Sequence, residues 1–230
     1  MRNTTSSNQE KVTRRTTVLM GKGDLAIRIA DWFVRSEDYE LIAIVPVMPE
    51  PTWTESLAGW GRANGVRVIE SGHYRDLPET SAVDGAVDLA VSVFYDKIIK
   101  AWFIEKCKKI INLHNGPLPR YRGVSPINWA LKNEEQEHGV TIHEITPGVD
   151  DGPIISQVKY SIYPEFDEVV DVYKRALAYG WVLFEQTICL IDNIRPQQQN
   201  HQKATYYSKY DNLALAERSG FTRRASVNHR

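Results

Sequence analysis

The fold is decided by residues 16–47, which read TTVLMGKGDLAIRIADWFVRSEDYELIAIVPV. The short, apolar and β-branched run at its start, Thr16–Met20, predicts a strand, and the glycine-rich turn after it leads into a helical pattern. Asp24 is placed to cap that helix, whose apolar residues recur at helical spacing as far as Arg35. Glu40–Val47 is again apolar and predicts a buried strand. A strand, a helix and a strand in this order predict a parallel pair joined by a crossover helix.

The same alternation continues beyond residue 47. Further strands are predicted at Val66–Glu70, Asp88–Phe94, Lys109–Leu113, Val140–Thr146 and Ile154–Ile162, and further helices at Thr52–Asn64, Asp96–Lys106, Pro126–Asn133 and Glu165–Asn193. This pattern predicts an α/β fold with a Rossmann-like, mostly parallel sheet and helices on both faces. No Pro/Gly-rich linker divides the middle, so residues 16–194 are expected to form one domain. A disordered tail is predicted at 1–15 and a polar C-terminal extension at 195–230.

The composition disfavours several classes of partner. The 230 residues carry 28 Lys and Arg against 29 Asp and Glu, so no global positive charge is available to hold nucleic acid or an anionic membrane surface. No apolar run approaches the roughly 20 residues of a membrane span, and the N-terminal residues lack the apolar part of a secretory signal. A cytoplasmic protein is therefore expected, with Cys107 and Cys189 as free thiols. None of the six histidines lies in a His-x-x-x-His pattern or beside a Cys pair, so no metal site is expected.

Three polar segments fall at the ends of predicted strands: Gly21-Lys22-Gly23, Phe94-Tyr95-Asp96 and Asn112-Leu113-His114. In open parallel sheets, ligands bind beyond the carboxyl ends of the strands. The three segments are therefore expected to converge on one site.

Asn112 and His114 are followed downstream by Asp150, and an amide, an imidazole and a carboxylate together suit acyl transfer to an amine. The attack creates a tetrahedral centre whose negative oxygen is stabilised by pre-placed donors, at roughly 3 to 4 kcal/mol each. The imidazole moves protons near neutral pH, and a carboxylate within about 4–6 Å favours its charged form. Each residue alone also has an ordinary structural explanation, so the prediction of a catalytic trio rests on the combination. Asp151 is the nearest rival to Asp150 and is expected to be exposed.

These residues resemble the mark of the folate-dependent formyltransferases, which is Asn-x-His at a strand end, a Pro-rich loop with Arg-Gly, and then Asp-x-Gly. The resemblance covers residues 16–194 and identifies that part of the chain as a catalytic domain. It implies that Asn112 and His114 contact the formyl oxygen. It also implies that Asp150 orients His114 and helps the proton leave the attacking amine.

The resemblance further implies N10-formyltetrahydrofolate as the co-substrate. Its pterin is expected between the end of the strand predicted at Asp88–Phe94 and the loop before Asp150. The residues assigned to it are Ser92, Phe94, Tyr95, Asp96, Lys97, Ile98, Thr146, Gly148 and Val149. Phe94 and Tyr95 can equally be ordinary core and rim aromatics, because backbone donors can read a pterin edge without dedicated side chains.

Within this family the chain looks most like the enzymes that formylate amino sugars on nucleotide carriers. The similarity lies in GKGDL at residues 21–25, in SVFYDKII at 92–99, in the loop His-Asn-x-Pro-Leu-Pro-x-Tyr-Arg-Gly and in a late Tyr pair. It implies an acceptor such as dTDP-4-amino-4,6-dideoxyglucose, a role in surface polysaccharide or glycolipid synthesis, and a homodimer. The residues assigned to the substrate are Gly21, Lys22, Gly23, Asp24, Tyr121, Arg122, Gly123, Tyr206 and Tyr207.

Single residues of this substrate set have alternatives. Lys22 and Arg122 can neutralise a pyrophosphate, although Lys22 can equally be a solvated loop residue. A tyrosine of the pair at 206–207 can stack on the base or anchor the extension. Trp129 is expected in the core, and the two prolines that flank Leu118 predict a cis bond between Leu118 and Pro119.

Other functions are open to this sequence. Phosphoribosylglycinamide formyltransferase is the nearest alternative, although Asp24 stands where its phosphate-binding loop typically continues with Ser-Asn. Methionyl-tRNA formyltransferases carry a further C-terminal barrel and need a basic surface. An NAD-dependent dehydrogenase fits Gly-x-Gly-x-x-Ala at residues 21–26 but lacks an acid at the end of the second strand. A metal hydrolase lacks ligand spacing, and a non-catalytic sugar-nucleotide module would not require the polar trio.

Overall fold

A computed structural model of the chain describes residues 13–78 and 86–217. Eight strands lie in this part of the chain: β1 (Arg15–Gly21), β2 (Tyr39–Pro46), β3 (Val87–Val93), β4 (Cys107–His114), β5 (Arg122–Gly123), β6 (Glu137–Glu144), β7 (Ile154–Ser161) and β8 (Tyr206–Tyr207). The α-helices are α1 (Gly23–Arg35), α2 (Leu57–Ala63), α3 (Ala101–Ile104), α4 (Pro126–Lys132), α5 (Val169–Ile188) and α6 (Asn212–Glu217). Short 3-10 turns lie at Tyr74–Asp76 and His201–Lys203.

The central sheet has six strands in the order β2-β1-β3-β4-β6-β7. The first four run parallel, and β6 and β7 are antiparallel to their neighbours. This confirms the predicted α/β fold with a mostly parallel sheet. The strand β4 lies where the sheet changes from parallel to antiparallel pairing, so its carboxyl end meets segments that arrive from both halves of the sheet.

Both faces of the sheet are covered, which explains why its strands read as continuous apolar runs. In β1, Leu19 belongs to one core cluster, and Val18 and Met20 belong to the other. The first cluster includes the apolar faces of α1, α4 and α5, and the second includes Phe103 of α3 and Tyr74. The long helix α5 begins with a capping box between Glu168 and Asp171.

Several predicted boundaries were wrong. Val66–Glu70 is not a strand, because this segment makes only an isolated bridge from Val68 to Ile44 at the outer edge of β2. The helix predicted from Thr52 begins only at Leu57, where Ser56 accepts a hydrogen bond from the Gly59 amide. Helices α3 and α5 are shorter than predicted at both ends.

The two ends of the chain also differ from expectation. Strand β1 begins at Arg15, the last residue of the predicted tail, and residues 1–12 lie outside the described part. The extension after residue 194 is not merely irregular, because it contains β8 and α6; residues 218–230 again lie outside the described part. Within residues 13–78 and 86–217, no helix combines the length and the apolarity that crossing a membrane requires.

Candidate active site

The ends of three neighbouring strands place the site. The register pairs Ser92 of β3 with Asn112 of β4, and Asn112 with His143 of β6. Because side chains alternate along a strand, Asn112 and His114 lie on one face of the sheet. The turn after residue 144 then brings Asp150 to the same place. The trio predicted from sequence is thus brought together by the fold, and its catalytic roles stay predictions.

His114 is buried, with 6% of its surface exposed. Its Nε2 lies 2.8 Å from the carbonyl oxygen of Tyr121, and since a carbonyl only accepts, Nε2 must carry a hydrogen. The other ring nitrogen, Nδ1, lies 3.5 Å from Oδ2 of Asp150. Burial lowers the pKa of His114, and the charge of Asp150 only partly offsets this. The ring is therefore neutral at pH 7, with the lone pair of Nδ1 available to take a proton.

Asp150 is held by three different segments. Its Oδ2 accepts a hydrogen bond of 2.8 Å from the Gly123 amide, and its Oδ1 lies 3.4 Å from Nδ2 of Asn112 and 3.5 Å from Nε2 of His143. Burial raises the pKa of the Asp150 carboxyl, but the interactions with the imidazoles of His114 and His143 and the hydrogen bond from Gly123 outweigh it and hold the pKa well below its usual range. Asp150 therefore stays ionised across the physiological pH range.

The backbone at Asp150 is left-handed, with φ at +48°. For a residue other than glycine this conformation costs roughly 1–2 kcal/mol, so neighbouring groups must stabilise it. Two glycines permit the close approach of the flanking backbone: a Cβ on Gly152 would lie 1.9 Å from the Glu144 carbonyl oxygen, and one on Gly123 would lie 2.1 Å from that of Tyr207. Any larger residue at either position would push the turn away from His114.

His143 is a member of the site that we did not predict. Its Nδ1 lies 2.8 Å from the Glu144 carbonyl oxygen and so carries a hydrogen, and its Nε2 lies 3.1 Å from Nδ2 of Asn112. Both amide hydrogens of Asn112 are then directed at His143 and Asp150. To donate to a formyl oxygen, the amide of Asn112 would have to break the longer of these two contacts, the one to Asp150. The sequence marks His143 as a polar residue near the end of an apolar strand. Without the strand register, this feature does not assign His143 to the site.

The loop that carries Tyr121, Arg122 and Gly123 lies against the site. The Leu118–Pro119 peptide bond within this loop is cis, as expected. Tyr121 is buried and donates its hydroxyl to Glu135 at 2.7 Å. Arg122 is also buried, and its Nε and Nη2 donate to Oε1 of Gln199. These two donors of Arg122 already have a partner within the protein. The contact of Arg122 with a pyrophosphate stays a prediction.

The first loop, at Lys22 and Asp24, is tied to neighbouring segments by hydrogen bonds. The Lys22 amide lies 3.3 Å from the Val93 carbonyl oxygen, so it is already engaged. Asp24 does not cap α1, whose N-cap is Lys22 and has no side-chain bond. Its Oδ1 instead accepts from the Thr54 hydroxyl at 3.0 Å.

The two tyrosines differ in exposure. Tyr207 packs within the fold, stacked on Trp129 at 4.2 Å between ring centroids, whereas Tyr206 is 56% exposed. Trp129 lies in the core, as expected.

The residues assigned to the pterin flank the end of β4 on both sides. Ser92, Phe94, Tyr95, Asp96, Lys97 and Ile98 lie at the end of β3, and Thr146, Gly148 and Val149 follow β6. The Tyr95 hydroxyl donates to the Gly72 carbonyl at 2.8 Å, and Asp96 pairs with Lys97 at 3.0 Å. Ile98 is 60% exposed. Asp151, the rival of Asp150, accepts from the Thr146 hydroxyl and closes this loop; it is half-buried rather than exposed.

A cavity of about 820 Å³ lies near the end of β4, and Asn115, the residue after His114, is part of its lining. Trp53 and Tyr173 line one side, with their rings 5.6 Å apart and nearly perpendicular. Ser125 and Asn128 at the start of α4 line another side. The side-chain oxygen of Asn115 is buried and has no hydrogen-bond partner. Among the described residues that line the cavity there is no Lys or Arg; the wall is largely apolar, with a few uncharged polar groups and the acidic side chains of Asp167 and Glu168.

Replacing Asp150 with Asn is expected to lower the pKa of His114 further, because the carboxylate is the group that raises this pKa against burial. The side-chain NMR signals of the histidines would be followed through a pH titration of the wild type and of the variant, with His114→Asn to assign the signal. In the wild type we expect protonation of His114 below about pH 6.5, and in Asp150→Asn at a lower pH still. A pKa that stays the same or rises would contradict the assigned contact.

Comparison with known proteins finds formyltransferases. The family described as formyl transferase matches residues 78–188. The methionyl-tRNA formyltransferase of Synechococcus sp. (strain JA-3-3Ab) is 34% identical to this chain over 165 residues, which are 70% of this chain and 49% of that protein. The chain spans about half the length, or less, of the first curated relatives that it matches.

Two solved structures share the fold and carry ligands. The N-formyltransferase from Helicobacter canadensis, in complex with folinic acid and dTDP-3-aminofucose, has a TM-score of 0.73 and 27% identity, over 86% of this chain and 72% of that one. The formyltransferase PseJ from Anoxybacillus kamchatkensis, in complex with UDP-4,6-dideoxy-4-formamido-L-AltNAc and tetrahydrofolate, has a TM-score of 0.58 and 26% identity, over 88% and 90%.

The fold and the match over residues 78–188 thus define a formyltransferase domain within this chain. The solved structures to which the chain is similar include sugar N-formyltransferases.

Proposed function

We propose that this protein transfers a formyl group from N10-formyltetrahydrofolate to the amino group of a nucleotide-linked amino sugar. The observation that carries the proposal is the contact between a neutral, buried His114 and an ionised Asp150, with Asn115, the residue after His114, in the wall of a cavity. The similarity to N-formyltransferases solved with nucleotide sugars supports the class of acceptor. We further propose a dTDP-linked 4-amino-4,6-dideoxyhexose as the sugar, use of the product in surface polysaccharide or glycolipid, and a homodimer.

The residues at the end of β4 fit a folate. Ile98 on the β3 side and Val149 on the β6 side leave apolar side chains uncovered, at 60% and 37% exposure. The exposed Gly148 leaves backbone amide and carbonyl groups accessible between them, which suits the polar edge of a flat heterocycle. When bound, the folate supplies the formyl group.

The chain's own residues then manage charge and protons. Nδ1 of His114 takes the proton that the acceptor amine must lose, because it carries the lone pair and its ring is neutral. The imidazolium then returns this proton to the nitrogen that leaves, which restores the neutral ring. Asp150 stabilises the imidazolium that results, since its Oδ2 lies 3.5 Å from Nδ1. The amide of Asn112 donates to the oxygen on which negative charge develops, in exchange for its contact with Asp150.

The cavity suits the sugar or the base of the acceptor rather than its phosphate groups. Its wall offers aromatic rings at Trp53 and Tyr173 and no cation among the described lining residues. Rings of this kind suit the apolar face of a deoxysugar or a base. Asp24 fixes the turn that presents Trp53, through Thr54 and the Glu55 amide, which gives this acidic residue a role at the rim without a phosphate contact.

The test is a panel of acceptors incubated with N10-formyltetrahydrofolate and the full chain. It contains dTDP- and UDP-linked 3-amino and 4-amino deoxysugars, phosphoribosylglycinamide and methionyl-tRNA, and it is read by mass for the gain of one formyl group. We expect formylation of at least one amino sugar, and none with His114→Asn. Formylation of phosphoribosylglycinamide or methionyl-tRNA alone, or of no acceptor, would overturn the proposal.

A further inference from the structure

We propose that Gln199, in the segment after α5, is a positioning residue that holds the turn at Asp150 so that the carboxylate faces His114. The catalytic consequence rests on the function proposed above, and the positioning itself does not. Gln199 lies 49 residues along the chain from Asp150 and outside every motif that marks the family.

The side chain of Gln199 is fully engaged. It is buried, with 5% of its surface exposed. Its Nε2 donates to the carbonyl oxygens of Asp150 at 2.9 Å and Gly152 at 2.7 Å. Its Oε1 accepts from Nε and Nη2 of Arg122 at 3.1 and 2.6 Å. Since a guanidinium only donates and a carbonyl only accepts, this amide has one possible orientation.

The two carbonyls that Gln199 binds belong to the part of the backbone that most needs support. Asp150 has a left-handed φ, and Gly152 packs directly against the end of β6. Among the described residues, the side chain of Asp150 receives one backbone donor, from Gly123. Releasing the two carbonyls would let the turn relax toward an ordinary conformation, and the carboxylate would move with it.

Arg122 strengthens this contact. Its guanidinium is buried, and no carboxylate lies within ion-pair distance of it in residues 13–78 and 86–217. Its charge is therefore directed at Oε1 of Gln199, which polarises the amide and strengthens the donation from Nε2. Arg122 thus acts on the Asp150 turn through Gln199.

Backbone pairing on both sides holds Gln199 in place. Before it, Gln197 exchanges two hydrogen bonds of 2.7 Å with Ile154. After it, β8 pairs with β5, the strand that contains Arg122 and Gly123. These two pairings attach the extension to the start of β7, just after the Asp150 turn, and to β5, whose Gly123 amide binds Asp150.

Gln199→Glu separates positioning from folding. A glutamate keeps an acceptor for Arg122 but removes both donors to the turn. We expect a melting temperature close to that of the wild type, kcat reduced about 10-fold or more with KM for both substrates within about twofold, and a lower pKa of His114 by NMR. Gln198→Glu is the matched control, because Gln198 is exposed and receives the same change of charge; it should leave all three quantities unchanged.

Gln199→Met, which is close in shape and has neither donor nor acceptor, serves if the glutamate variant does not fold. In either folded variant, an unchanged pKa of His114 together with an unchanged kcat would overturn the proposal. So would a fall in melting temperature with both quantities unchanged, since that result would assign Gln199 a purely structural role. The NMR readout needs no substrate, so it can succeed or fail independently of the proposed sugar.

Discussion

His114→Asn is expected to lower kcat by about 10²-fold or more while the protein stays folded. The imidazole is the one group of the trio that can accept a proton near pH 7, because Nε2 is committed to the Tyr121 carbonyl and Nδ1 carries a free lone pair. An asparagine side chain can approach Asp150 but cannot take up a proton. The measurement is kcat with the best acceptor from the panel, beside a thermal melt of both proteins.

His73→Asn is the matched control for this variant. His73 accepts a hydrogen bond from the Arg75 amide at the start of a 3-10 turn, and asparagine is equally suited to such a position. We expect wild-type kcat there. If His114→Asn retained the kcat of the wild type, the proton-transfer role of His114 would be refuted, whatever the structure of the variant.

Asn112→Ala should lower kcat by about 10²- to 10³-fold and change KM much less. The charge on the formyl oxygen exists only near the transition state, so removing its donor cannot weaken ground-state binding to the same extent. Steady-state kinetics in both substrates would separate kcat from KM. Asn193→Ala, at an exposed site far along the chain, provides the same substitution without expected effect.

The contacts of Asn112 allow a second role, the orientation of Asp150, which the same variant distinguishes from the oxyanion role. Its amide hydrogens face His143 and Asp150. If Asn112 served only to orient Asp150, the alanine variant would shift the pKa of His114 and the loss of kcat would be small. A change confined to KM would contradict the oxyanion role outright.

The sequence predicted those parts of the fold and site that depend on local pattern. The strands were predictable because both faces of the sheet are covered, which makes each strand an unbroken apolar run. Asn112 and His114 could be placed at a strand end for the same reason, and the strand order then brought them to one edge of the sheet.

What could not be predicted depends on contacts between distant segments. His143 joins the site only because β6 runs antiparallel to β4 in one particular register. Arg122 appeared suited to a phosphate, yet its partner is Gln199, 77 residues later. Asp24 had the spacing of a helix cap, but Thr54 lies close enough to compete for its carboxylate. None of these choices leaves a periodic signal in the sequence.

The late position of Gln199 has a consequence for synthesis on the ribosome. Domains tend to fold as the chain emerges from its N-terminus, and the catalytic trio is complete once residue 150 has emerged. The groups that bind the Asp150 and Gly152 carbonyls, and the strand that pairs with Arg122 and Gly123, emerge only with residues 197–207. A nascent chain halted after α5 would hold every reacting side chain and still lack the support of the Asp150 turn, so full activity would come only once residues 197–207 had emerged.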